Sequence, residues 1–127
     1  MKMASCKDIA GAYGLFFSTL ANDSRLKILN TLRRNPQNVT EICRETNFEQ
    51  SMVSHNLKEL EYHGMVFKEK KGKFRYYRLN QKTIAPLIEL IEAHMKQYCC
   101  KILKAQERAW RSRKMPRHFL RIVEGKR

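Results

Sequence analysis

Cys99 and Cys100 stand side by side, and adjacent thiols are the feature of this chain with a direct claim to metal or redox chemistry. Thiolates are soft donors that select thiophilic ions, and such a pair can also be oxidised or capped as a persulfide. Consecutive helical residues point about 100° apart, so one ion reaches both only where a helix frays or a third thiolate comes in. Otherwise Cys99 is packed core. The remaining thiols, Cys6 and Cys43, form neither a C-x-x-C zinc knuckle nor a disulfide framework with this pair. The chain has no glycine-rich phosphate loop, paired carboxylates or nucleophile–base signature, so an enzyme is not expected.

A different chemistry is offered by Gln50, Ser51, Ser54, His55 and Lys58. Val53, Leu57 and Leu60 recur at i, i+4 and i+7 and define the inward face of a helix, which leaves those five polar residues outward. Small hydroxyls let a helix backbone approach a groove closely, while glutamine, histidine and lysine reach base edges or phosphates. Immediately after Gly64 the segment 68–78 carries six Lys and Arg against Glu69. Lys70, Lys71, Lys73 and Arg75 are the expected phosphate or minor-groove contacts of this ribbon. Helix pairs of this spacing also occur in cores that touch no nucleic acid, and charged hairpins are often merely solvated; the combination favours a duplex.

These groups need elements to hold them. Ile9, Tyr13, Phe16, Phe17 and Leu20 share one face and predict a first, core helix. Asn22 predicts the cap of a second, with Leu26, Ile28, Leu29 and Leu32 inward. Asn35-Pro36 ends it, and Asn38 with Glu41 reads as a capping box opening a third helix, "VTEICRET". Gly64 is expected to stop the fourth. "MVFKEK" and "KFRYYRLN", with Lys71-Gly72 as the turn, read as a hairpin. From Thr83 a long helix is expected, with Ile84, Leu87, Ile88, Ile91, Met95, Tyr98 and Ile102 in one unbroken stripe that calls for a partner helix. The fold class that follows is mostly α with a β-hairpin wing.

The 127 residues suit one domain with an appendage, here 1–103 followed by a basic tail, 104–127, partly helical or disordered. Net charge is +14, and segment 101–127 holds ten Lys and Arg against two Glu. Such a balance favours polyanionic partners. The uncharged run between Asp8 and Asp23 is too short to span a bilayer, so no membrane partner is expected and the reading is cytoplasmic.

The stretch "LFFSTLANDSRLKILNTLRRNPQNVTEICRETNFEQSMVSHNLKELEYHGMVFKEKKGKFRYYRLN" resembles the ArsR/SmtB family of winged helix-turn-helix transcriptional repressors. "LANDSRLKIL" is similar to the family's "LADPTRLRIL", "QSMVSHNLKEL" to its "QSTVSRHLKVL" recognition helix, and "GKFRYYRL" to its "GRWVYYSL" wing strand. The resemblance covers about residues 8–103. It implies a homodimer built on the first and last helices, with Phe16, Phe17, Ile84, Ile88, Ile91, Met95, Tyr98 and Ile102 at the interface. It also implies double-stranded DNA with an inverted-repeat operator as partner, and release by an inducer. Glu49 replaces the family's usual Ser at the start of the recognition helix, so Asn47 or water is expected to satisfy that end.

The resemblance also sorts the ligands. The family's arsenic box would fall on Asn38, Val39 and Thr40, and its zinc positions on Gln81, Thr83, His94 and Gln97; neither set has the donors. Some relatives bind trivalent arsenic through a vicinal pair near a chain end. Cys99 and Cys100, with Cys6 as third ligand, are therefore the metal site it implies, for trivalent arsenic or another thiophilic ion, with no other cofactor. The rival from a different class is a non-regulatory architectural or coating protein, for which the basic tail argues.

Overall fold

The computed structural model describes residues 6–113, with side chains at 10–102 and 104–108. The expectations resting on the Cys6 side chain and on the tail beyond residue 113 lie outside the described residues. In chain order the elements are α1 (Cys6–Leu20), α2 (Asp23–Thr31), β1 (Gln37–Asn38), α3 (Val39–Thr46), α4 (Gln50–Tyr62), β2 (Val66–Lys71), β3 (Phe74–Leu79), α5 (Ile84–Tyr98) and α6 (Cys100–Arg113). The chain divides into two compact units at Asn80/Gln81. The first is the expected mostly helical fold with a β-hairpin wing.

The core of the first unit is apolar and closed. Ile28, Leu29 and Leu32 from the α2 region, Ile42 from α3, Val53, Leu57 and Leu60 from α4, and Met65, Val66 and Leu79 at the base of the hairpin are all buried. Leu26, expected inward, is half-buried. Asn22 accepts a hydrogen bond from the Arg25 amide at 3.0 Å, the expected cap of α2. The short β1 was not foreseen: Gln37 pairs with Tyr77 and Asn38 with Tyr76, giving an antiparallel sheet ordered β1-β3-β2. Two residues carry no readable period. Gln37 holds that strand by donating from Nε2 to Thr31 O at 3.2 Å and Glu45 Oε2 at 2.9 Å.

Helix α1 departs from the core role expected of it. Thr19 and Leu20 are buried, but Tyr13, Leu15 and Phe17 are exposed and Phe16 is half-buried. Among the described side chains of α1, full burial is confined to its last turn. In the second unit the predicted unbroken stripe is interrupted: α5 ends at Cys99, whose backbone sits at φ −113 and ψ 12, and α6 starts at Cys100. Tyr98, Cys99 and Cys100 are three poor helix formers in succession, which makes this the weakest point of a long helix.

Candidate nucleic-acid interface

Two short helices present the candidate surface. Helix α3 starts on a reciprocal box in which Asn38 Oδ1 accepts from the Glu41 amide at 2.8 Å and Glu41 Oε1 accepts from the Asn38 amide at 3.1 Å. It ends at Asn47, whose left-handed backbone (φ 62) lets its amide reach Cys43 O at 2.8 Å. Asn47 therefore serves the end of α3 and not the start of α4, which removes the first of the two expected partners for that end and leaves water. A left-handed turn tolerates Asn far better than most residues, and that requirement takes precedence. Glu49 starts α4 without a side-chain cap. The first amides of α4 are thus left to an outside acceptor.

Along α4, Gln50, Ser51, Ser54, His55 and Lys58 are all exposed, as the spacing predicted, while Val53, Leu57 and Leu60 are buried. The buried face also carries Asn56, which sequence reasoning passed over. Its Nδ2 donates to Met52 O at 3.0 Å, and its Oδ1 accepts from Arg25 Nε at 3.2 Å. Arg25 also donates to Thr19 O at 3.3 Å, so one guanidinium ties α1, α2 and α4 together. The available signal was an amide sitting among Val53, Leu57 and Leu60 on a face that should be apolar. At the other end of α3, Lys27 Nζ donates to Thr46 O at 3.2 Å and lies over the Phe48 ring.

The exit from α4 fixes the wing. Gly64 adopts φ 71, the Gly64 amide donates to Glu61 O at 3.0 Å, and the Met65 amide donates to Leu60 O at 2.9 Å. These are the paired bonds of a Schellman motif. Asn80 then clamps the same loop from the far strand, its amide on Met65 O at 3.0 Å and its Nδ2 on Gly64 O at 2.9 Å. Lys68 reaches Glu61 of α4 at 3.7 Å.

The hairpin pairs Val66 with Leu79 and runs to Lys71 opposite Phe74. Its loop is therefore Gly72-Lys73, one residue later than expected. A two-residue hairpin loop favours a positive φ at its first central position, and Gly72 supplies it with φ 62. One face carries Lys68 beside Tyr77 and Lys70 beside Arg75; the other carries Phe67 beside Arg78, Glu69 beside Tyr76 and Lys71 beside Phe74. Arg78 stacks on Phe67 and bonds Glu69 Oε1 at 2.6 Å. Lys70, Lys71, Lys73 and Arg75 are exposed, and none has a carboxylate at ion-pair distance among the described residues. Lys70 and Arg75 face each other directly, an arrangement that costs stability unless an anion lies between them. Burial, then Glu61, raise the Tyr77 phenol above its ordinary pKa, against a lowering by Arg75.

The thiols are placed less decisively. Cys99 is half-buried at the α5 end, Cys100 is exposed, and Cys43 is half-buried on α3. Among the described residues no group of three or more His, Cys, Asp or Glu could hold a metal ion. His94 is exposed and tilts against Tyr98, 5.1 Å between ring centroids. Of the residues expected at an interface between copies, Ile84 is already buried in the chain, Phe16, Ile88 and Met95 are half-buried, and Phe17, Ile91, Tyr98 and Ile102 are exposed. Leu90, outside the predicted stripe, is 72% exposed.

A family model described as bacterial regulatory protein, arsR family, matches residues 22–68, the span from the α2 cap into β2. The chain is 39% identical over 70 residues to an HTH-type transcriptional regulator, NmtR, of Mycobacterium tuberculosis. That match covers 55% of this chain and 58% of the relative, so the chain spans under two-thirds of that protein's length. The solution structure of apo-NmtR is similar at 30% identity and TM-score 0.65, over 76% of this chain and 81% of that one. A homodimeric winged helix-turn-helix DNA-binding domain from Mycobacterium bovis, a possible ArsR-family regulator, is similar at 27% identity and TM-score 0.64, over 77% and 93%.

Proposed function

Because this chain belongs to the arsR family of bacterial regulatory proteins, we propose that it is a cytoplasmic transcriptional regulator that reads double-stranded DNA as a homodimer. The observation that carries this reading is the juxtaposition of an exposed polar face on α4 with four exposed wing cations that have no carboxylate partner. Gln50, Ser51, Ser54, His55 and Lys58 meet the major groove, and Lys70, Lys71, Lys73 and Arg75 meet phosphates or the minor groove. The exposed apolar residues of α1 and α5 are the surfaces a second copy covers, with domain 1–103 containing everything needed and 104–127 adding charge. The test is a footprint on DNA bound by the full chain. Protection of one inverted repeat supports the reading, and uniform coverage supports a coating protein instead.

The regulator acts as a repressor, and its inducer is a thiophilic species engaging Cys99 and Cys100. The interruption of the helix at Cys99 supports this, because two adjacent thiols on one regular helix diverge too far to share an ion. Cys6 is the third donor of this scheme. Arsenite is the probe: it releases wild-type protein from DNA and leaves the Cys99→Ser/Cys100→Ser double variant bound. Equal release from both proteins, or none from either, refutes sensing through this pair. No helix among the described residues is long and apolar enough to cross a membrane.

A further inference from the structure

We infer that Phe74 is an apolar wedge which the wing drives between base pairs of the minor groove, so that the wing reads how easily a base step opens. The inference rests on the DNA-binding reading above and deepens it. Phe74 opens β3, faces Lys71 across the two-residue loop, and is 56% exposed. The neighbouring aromatics have partners that explain them: Arg78 covers Phe67, while Tyr76 and Tyr77 are half-buried within the sheet. No ring or cation of the described residues is stacked on Phe74.

What surrounds the ring identifies its partner. Lys71 lies across from the ring on the same face, Lys73 is in the adjoining loop and Arg75 follows on the opposite face, all exposed without ion-pair partners among the described residues, so the tip is an apolar group among cations. A protein partner would be a poor match for so much like charge, whereas a nucleic-acid groove supplies two lines of phosphate with stacked apolar rings between them. The hairpin carries the ring well clear of the core: five steps along β2, from the buried Val66 to Lys71, span about 17 Å. The minor groove is only about 6 Å wide, so a side chain projecting from the tip is the part of the wing best placed to reach the base steps. Large apolar side chains in that groove pry apart a base step and bend the duplex, most easily at pyrimidine–purine steps.

The test uses the full chain and a duplex that the wild-type protein recovers from a random-sequence pool. Bend is read by energy transfer between end labels, and unstacking by the fluorescence of an adenine analogue scanned through the sequence flanking the footprint. Wild type should bend the duplex and brighten the analogue at one step in each flank. Phe74→Ala should lose both and bind about tenfold more weakly. Its salt dependence should be unchanged, because no charge is removed. Phe74→Leu should restore the bend, and Lys71→Ala should keep the brightened step while flattening the salt dependence. Circular dichroism verifies that each variant is folded. Bending and brightening that survive in Phe74→Ala, or are missing in wild type, overturn the wedge and leave the DNA reading standing. Failure of wild type to recover any duplex overturns both.

Discussion

Lys71 and Lys58 are both exposed lysines, yet one stands on a hairpin tip and the other on a helix face beside His55 and Ser54. That difference in position predicts a difference in kind. His55→Ala or Gln50→Ala should reduce discrimination between the preferred and a mismatched duplex by about 1–3 kcal/mol if the side chain reads a base edge. Lys71→Ala should instead weaken binding to every sequence alike and reduce the salt slope by about one unit. Titrations at several salt concentrations on specific and random duplexes separate the two; equal losses on both DNAs for all α4 variants would count against this docking. Tyr77 gives a second prediction at this scale. Its phenol is held above its ordinary pKa chiefly by burial, so the neutral form is the one the fold prefers. That stabilisation is complete below the unfolded pKa near 10 and is lost as pH rises through the folded value. Urea unfolding of wild type and Tyr77→Phe should therefore show the phenylalanine variant gaining relative stability between neutral and strongly alkaline pH.

Elements were legible wherever period and punctuation agreed. In α4 the inward spacing of Val53, Leu57 and Leu60, the stop at Gly64 and the β-rich run after it all point to one answer, and the helix and hairpin stand there. The Asn38–Glu41 box was readable because both partners belong to one four-residue motif. Tertiary partners were not: β1 exists only because β3 offers it an edge, and the Arg25–Asn56 brace spans residues distant in sequence. The turn was displaced by one residue because a register, not a dipeptide, decides which residues close a hairpin. Removing Asn56 by Asn56→Ala leaves the Arg25 guanidinium short of an acceptor and should cost about 1–3 kcal/mol. Gly64→Ala should cost about 1–2 kcal/mol from its left-handed backbone alone, since a Cβ there meets nothing within 4 Å. Gly64→Asn should cost less, and urea midpoints rank the three proteins.

In the molecule as a whole, α1 leaves Tyr13, Leu15 and Phe17 exposed and α5 leaves Leu90, Ile91 and Tyr98 exposed, and apolar surface of this kind marks interaction sites when it is contiguous. Ile91→Glu with Met95→Glu should give a monomer by sedimentation that no longer holds an inverted repeat, and a double variant that sediments as a dimer sinks that interface. The net charge of +14 has an effect of a different sort. The wing cations Lys70, Lys71, Lys73 and Arg75 repel one another in the free protein, and the folded state crowds them closer than the unfolded chain does. Added salt screens that repulsion over about 10 Å at 0.1 M, so it should raise the melting temperature of the free protein while stripping it from DNA. Folding and the proposed DNA binding should then answer to ionic strength with opposite signs. On the proposed DNA-binding reading, the protein should be least secure in its own shape in the dilute buffers where its grip on a polyanion is tightest, and the polyanion itself would be the counterion that steadies the fold.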